Sequence, residues 1–328
     1  MCCDLCPRAC GANRAQGERG VCGADDTLVV ARAALHEWEE PPISGGGAGA
    51  GGGSGGGAGA GVGAGAGGGT RGDSWGGCAG SGTVFFSYCS LGCVYCQNEA
   101  ISSGRAGRAI SVKRLAEIFL ELEGQGACNI NLVTPTHYVP QIIEAAGMAR
   151  AAGMGLPFVY NTSGYEAVST IEALAGVVDI YLTDFKYALP WPAERYSGAG
   201  DYARVALPAL EAMVKQVGEY ALGLGEDGLL RRGVVVRHLL LPGQLENAKA
   251  VVRLVFEALG NRVCYSLMNQ YTAMPACARY AEIDAAVSED EYSELVAYAL
   301  DLGITHSFMQ EGGAASESFI PPFDLTGV

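Results

Sequence analysis

The chain lacks an excess of basic residues, a long apolar run and an amino-terminal leader pattern. Its 21 Lys and Arg are outnumbered by 35 Asp and Glu, giving a formal net charge of -14. That balance opposes phosphate backbones and anionic lipid surfaces, so neither nucleic acid nor a membrane is an expected partner. No stretch reaches the ~18 continuous apolar residues of a membrane span. The opening "MCCDLCPRACG" has neither a basic n-region nor an apolar h-region. The expectation is a soluble protein of the cytoplasm or another reducing compartment, although a gene clipped upstream of Met1 would read the same. The Gly/Ala run at residues 45–69 lacks the Gly-x-y period with proline that collagen needs, and no Gly-Lys-Ser/Thr follows it to cradle a phosphate.

What the chain does have is a core and thiols. With 328 residues at 49% hydrophobic content it can bury most of its unfolded surface. Its 12 cysteines would suit a disulfide scaffold only in a short chain without a core, so reduced thiols holding metal are expected. They fall into two groups. "FFSYCSLGCVYCQN" (85–98) places Cys89, Cys93 and Cys96 at C-x3-C-x2-C with no fourth thiol nearby. A structural zinc site or a fully protein-ligated cubane needs four ligands, so the trio leaves one position open. Upstream, Cys3-x2-Cys6-x3-Cys10 with Cys22 supplies four soft ligands, enough for a closed shell around a second Fe–S cluster or a structural zinc; Cys2 is an alternative to Cys3. Cys78, Cys128, Cys264 and Cys277 stand alone, and Cys128 and Cys264 read as small core residues of apolar strands.

Three regions follow: a Cys-rich segment (1–44), a Gly/Ala-rich insertion with almost nothing to bury, expected to be disordered (45–79), and a core domain (80–328). In the core, short apolar β-branched runs alternate with helical periodicity. The strands are "GTVFFSY", "NINLVT", "PFVYNTS", "VDIYLTDFK", "GVVVRHLLLPG" and "RVCYSLMNQY", each followed by an amphipathic pattern. Ser288 with Glu291 forms a capping-box signature before the last helix. Six strand and helix pairs predict an α/β fold with a parallel sheet, either open and doubly wound or a complete or partial barrel. Both gather active residues at the carboxyl ends of the strands. Those ends carry the Cys trio, Thr134 to His137, Asn161 and Thr162, Asp184 and Lys186, and His238.

"CSLGCVYC", with Tyr95 as its aromatic residue, resembles the C-x3-C-x-φ-C signature of radical S-adenosylmethionine (SAM) enzymes. Together with "CDLCPRACGANR", "EEPPISG", "NINLVTPTHYVPQI", "DIYLTDFKY" and "RHLLLPG", it resembles the proteins named after pyruvate formate-lyase activating enzyme. The resemblance implies a partial (β/α)6 TIM-like barrel and an oxidoreductase. Cys89, Cys93 and Cys96 would hold a [4Fe-4S] cluster whose open iron binds SAM, to be cleaved reductively into a deoxyadenosyl radical that abstracts hydrogen. No catalytic side chain beyond the cluster is assigned. "TDFK" resembles an element glycyl-radical activases use near SAM, implicating Asp184 and Lys186; "NTSG" resembles their Asp-Thr-Asn-Gly turn, with Asn161 in the acidic place. His238 occupies the place of a cofactor-facing residue. The Gly-Gly-Glu element that receives the methionine amino group is absent, and "TPTH" stands there instead, implicating Thr134, Thr136 and His137.

The resemblance implies a reductant such as flavodoxin or ferredoxin. The substrate reading divides between a protein bearing a glycyl-radical loop, which the chain would activate, and a small molecule or other macromolecule. A non-catalytic Zn or Fe–S binding protein is the alternative of a different class.

Overall fold

The computed structural model describes residues 3–45, 77–309 and 321–328. Among the described residues there are nine strands: β1 Val29–His36, β2 Ser81–Phe86, β3 Arg108–Ala109, β4 Ile130–Val133, β5 Phe158–Thr162, β6 Ile180–Asp184, β7 Gly233–Leu239, β8 Cys264–Met268 and β9 Ser307–Met309. The α-helices are α1 Pro41–Ser44, α2 Glu99–Ser102, α3 Val112–Gly124, α4 Val139–Ala151, α5 Val168–Ala173, α6 Pro190–Ser197, α7 Tyr202–Val217, α8 Leu245–Leu259 and α9 Glu289–Asp301. The strands build one mixed sheet of order β3-β1-β2-β4-β5-β6-β7-β8-β9, and the fold is α/β. From β2 to β9 every pairing is parallel, while β1 runs antiparallel to β2 and β3.

The six strands read from the sequence are β2 and β4 to β8. The expectation omitted β1, β3 and β9, and the composition of β1 explains its omission. "VVARAALH" is Ala-rich and broken by Arg32, so its strand propensity is weak and pairing with β2 decides its conformation.

Successive side chains leave the sheet on opposite faces. On the helix-covered face, Val84, Phe86, Ile130 and Leu132 pack with Leu115, Phe119 and Ile142 of α3 and α4. Farther along, Val234 and Val236 pack with Met213 of α7 and Val251 of α8. On the other face Val159, Ile180, Leu182, Val235 and Cys264 surround Ile43 of α1. Helix α1 sits at the amino ends of the strands, where Asn129 Nδ2 donates to Ile43 O at 2.7 Å and Leu230 N to Pro42 O at 2.8 Å. Functional groups on this face are thereby left at the carboxyl ends. The capping box is present, with Ser288 Oγ accepting from Glu291 N at 3.1 Å.

The thiol reading needs one correction. Cys78 and Cys128, read as isolated, are joined by a disulfide across 50 residues, with Cα atoms 5.4 Å apart. Spacing could not reveal it. The approach is made by backbone bonds from Ala79 N to Gly126 O and from Cys128 N to Gly80 O, both 2.8 Å. The expected disorder over 45–79 falls, from 46 to 76, outside the described residues. Among the described residues no helix is long and apolar enough to cross a membrane.

Candidate functional site

A cavity of about 250 Å³ opens at the carboxyl ends of the strands. Its wall contains Phe85 of β2, Val133 of β4, Asn161 of β5, Asp184 of β6, Arg237 of β7 and Met268 of β8. All point from the face that carries Val159, Leu182 and Val235, as the two-residue period requires. Cys89, Cys93, Tyr95 and Cys96 line the same cavity from the loop after β2. That loop departs through Tyr88 in the left-handed region (φ 75) and tightens with Cys96 N donating to Cys93 O at 3.1 Å. A larger depression of about 640 Å³ lies away from the strand ends beside Glu211, Lys215, Glu219 and Arg262. Its charged groups are all solvent-exposed, so the convergence of buried polar groups that marks a chemical site belongs to the smaller cavity.

Two of the loop thiols, Cys89 and Cys96, are costly to ionise by themselves. Burial pushes Cys96 up to about 12, with Cys89 and Cys93 adding, and burial followed by Cys93 raises Cys89. A bound cation is what makes such thiolates favourable, and binding it releases protons. Among the described residues no three His, Cys, Asp or Glu side chains close around a single ion. Cubane ligands bind different irons and therefore stand farther apart than the ligands of one ion.

Opposite the thiols lies a charge network. Lys186 Nζ meets Asp184 Oδ2 at 2.6 Å, and Arg237 Nε meets Asp184 Oδ1 at 3.0 Å. Arg237 continues to Glu39 Oε2 at 3.2 Å and donates to Asn161 Oδ1 at 2.6 Å. Glu39 Oε1 accepts from Asn131 Nδ2 at 3.0 Å and from Asn161 Nδ2 at 3.3 Å. Burial opposes ionisation of Asp184, but the Lys186 and Arg237 cations outweigh it and hold the carboxyl below its usual range. Asp184 and Lys186 thus share the cavity wall, as does Asn161, while Glu39 and Arg237 were not singled out from the sequence.

The remaining expected residues divide between the cavity and the layer behind it. Thr134, also left-handed (φ 59), lines the cavity; so does Tyr95, whose hydroxyl lies 2.7 Å from Tyr187 OH. Thr136 and His137 do not line it. Thr136 donates to Glu166 Oε1 at 2.7 Å, and His137 Nε2 lies 2.7 Å from Ser87 O with its own carbonyl accepting from Arg14. His238 also faces away, with Nδ1 2.7 Å from Phe185 O. Burial pushes both histidines down to about 4, so each is a neutral, internally bonded group. A third residue not singled out is Glu166, buried behind "NTSG" and bonded by Thr136, Thr162 and Tyr160.

The N-terminal cysteines are folded against this rim. Gly20 presses on two of them, since an added Cβ would sit 3.2 Å from Cys10 Sγ and 3.4 Å from Cys22 Sγ. Cys6 is pushed up to about 11 by burial first, with Glu166, Cys22 and Cys3 adding against the backbone N–H of Arg8. The segment docks through Arg8, whose Nε donates to Ser90 O at 3.0 Å and Nη2 to Ser197 O at 2.9 Å, and through Thr170 Oγ1, which donates to Leu5 O at 2.7 Å. Cys2 lies outside the described residues.

No family model matches the chain. Uncharacterized protein MJ0674 of Methanocaldococcus jannaschii is 27% identical over 236 residues, covering 68% of this chain and 64% of that protein, just under two thirds of its length. Among solved structures, Streptococcus suis SuiB bound to precursor peptide SuiA gives a TM-score of 0.43 at 14% identity, covering 67% of this chain and 46% of SuiB. SuiB bound to S-adenosylmethionine gives 0.42 at 16% identity, covering 65% and 44%. Likenesses of that size define neither a family nor an activity.

Proposed function

We propose that the chain is a radical SAM enzyme. The observation that carries this reading is convergence: three free thiols on one loop line the same cavity as a half-buried ammonium, guanidinium and carboxylate. The donor set fits the groups. Cys89, Cys93 and Cys96 would hold three irons of a [4Fe-4S] cluster, and SAM would take the fourth. When bound, these groups supply reductive cleavage of a sulfonium and hydrogen abstraction. The chain's own residues bind and orient. Lys186 and Asp184 offer a cation and an anion to a zwitterionic methionyl group, Arg237 holds Asp184 in its ionised form, and Thr134 and Asn161 add hydrogen-bonding groups to the same wall.

Curvature of the sheet supports the partial (β/α)6 barrel. Phe85 and Met268 line one cavity although β2 and β8 are five strand spacings apart, about 24 Å in a flat sheet at ~4.8 Å per strand. The pairing of Asp184 with Lys186 in "TDFK" favours the narrower reading, an activase of a glycyl-radical partner reduced by flavodoxin or ferredoxin. Cys3, Cys6, Cys10 and Cys22 are proposed to hold a second Fe–S cluster or a zinc.

The test is anaerobic reconstitution with iron, sulfide, SAM and a reductant. The parent forms 5'-deoxyadenosine and Cys93→Ala does not; equal product from both, or none from the parent, ends the enzyme reading. In Cys6→Ser, loss of iron identifies a cluster at the N-terminal site, and loss of zinc a structural ion.

A further inference from the structure

Ser197, at the carboxyl end of α6, donates from Oγ to Cys93 Sγ at 3.0 Å. Its Oγ also lies 2.8 Å from Tyr187 OH, and Tyr187 OH lies 2.7 Å from Tyr95 OH. Each hydroxyl carries a single proton. With the Ser197 proton on sulfur, Tyr187 must donate to Ser197 and Tyr95 to Tyr187, so three O–H dipoles run head to tail toward Cys93. All three side chains are buried, which keeps water from breaking the sequence of bonds. The helix end is also fixed in place, because Arg8 bonds Ser197 O while bonding Ser90 O in the loop between Cys89 and Cys93. Donor and acceptor are therefore tied together by one guanidinium.

We infer that Ser197, Tyr187 and Tyr95 form a hydrogen-bonded chain that sets the reduction potential of the cluster held by Cys93. The inference rests on the proposed cluster. A donor on a ligating sulfur stabilises negative charge there, and the reduced cluster carries one electron more than the oxidised one. Reduction is thus favoured and the potential rises. Tyr187 and Tyr95 polarise the terminal bond and strengthen it. Ser197 is a positioning residue: it acts on the cluster's sulfur and leaves the reacting atoms to the cavity.

Ser197→Val and Ser197→Thr have the same shape and differ in the hydroxyl, so their comparison isolates the donor from packing. Parent and variants are loaded anaerobically, iron per chain is counted, and the reduced cluster is titrated by electron paramagnetic resonance. Ser197→Thr is expected at the parent's potential, Ser197→Val at a lower one, and Tyr187→Phe lower by a smaller step. Coincident potentials for the Val and Thr variants overturn the inference. If Ser197→Val does not fold, Tyr187→Phe decides, and a potential equal to the parent's overturns the chain. A parent that takes up no iron overturns the cluster reading first, a result separate from a loaded parent whose variants do not differ.

Discussion

Glu166 makes stability depend on pH in a direction opposite to that of a salt-bridged acid. It is buried, and burial outweighs the bonds from Thr162, Thr136 and Tyr160, pushing its carboxyl from 4.5 up to about 7. An acid raised in the folded state binds more protons folded than unfolded between the two values. Stability is therefore highest below about 4.5, falls as pH rises through that window, and levels off above about 7. At 1.36 kcal/mol per unit the whole effect is about 3 kcal/mol, of which roughly 2.5 kcal/mol falls between pH 5 and pH 8. Glu166→Gln keeps the size and an acceptor oxygen but does not titrate. Equilibrium urea unfolding by circular dichroism, under anaerobic reducing conditions at both pH values, gives the comparison. The parent should lose roughly 2.5 kcal/mol more than the variant on going from pH 5 to pH 8. Equal losses would mean that Glu166 is not raised by burial, because every other titrating group is common to both chains.

Three further outcomes are expected. Arg237→Met removes the shared partner of Glu39 and Asp184, and breaking a largely desolvated charge network by removing one partner costs about 3–5 kcal/mol. The lower end applies because Lys186 stays on Asp184 and two asparagines stay on Glu39; an unfolding loss under about 1 kcal/mol would contradict it. Gly164→Ala places a Cβ 2.2 Å from Asp184 O at φ +78, so thermal unfolding should show a loss of at least about 2 kcal/mol. The Cys78–Cys128 bridge, across 50 residues, contributes up to about 4 kcal/mol by chain entropy. Alkylation of the denatured parent should miss both cysteines until a reductant is added, and Cys78→Ala should unfold at lower urea than the oxidised parent.

The parallel strands were legible because strands buried on both faces read as continuous apolar runs. Residue parity decides which strand residues reach the cavity. In "VVVRHLLL" the histidine drew attention, yet Val235 faces inward, so the two-residue period sends Arg237 to the cavity and His238 to the helices. The same count on β6 puts Leu182 and Asp184 on the inner face, and Asp184 is the register partner of Arg237. Thr136 and His137 lie off the cavity for another reason: the chain turns into a 3-10 helix over Thr136–Tyr138, and strand parity does not extend into it. Glu39 sits on a segment whose approach to the sheet depends on β1 pairing with β2, a contact that no local pattern marks. Ser197 meets Cys93 across 104 residues through the packing of α6 beside the Cys loop, which no local pattern marks.

The proposal is that Cys89, Cys93 and Cys96 hold a cluster with one iron left for SAM. It is tested most directly in a Cys6→Ser/Cys10→Ser chain, where the N-terminal site is disabled and only the trio can load. Four irons per chain are expected, with an electron paramagnetic resonance signal of the reduced cluster that changes on adding SAM. An iron-free chain, or a signal indifferent to SAM, would contradict it.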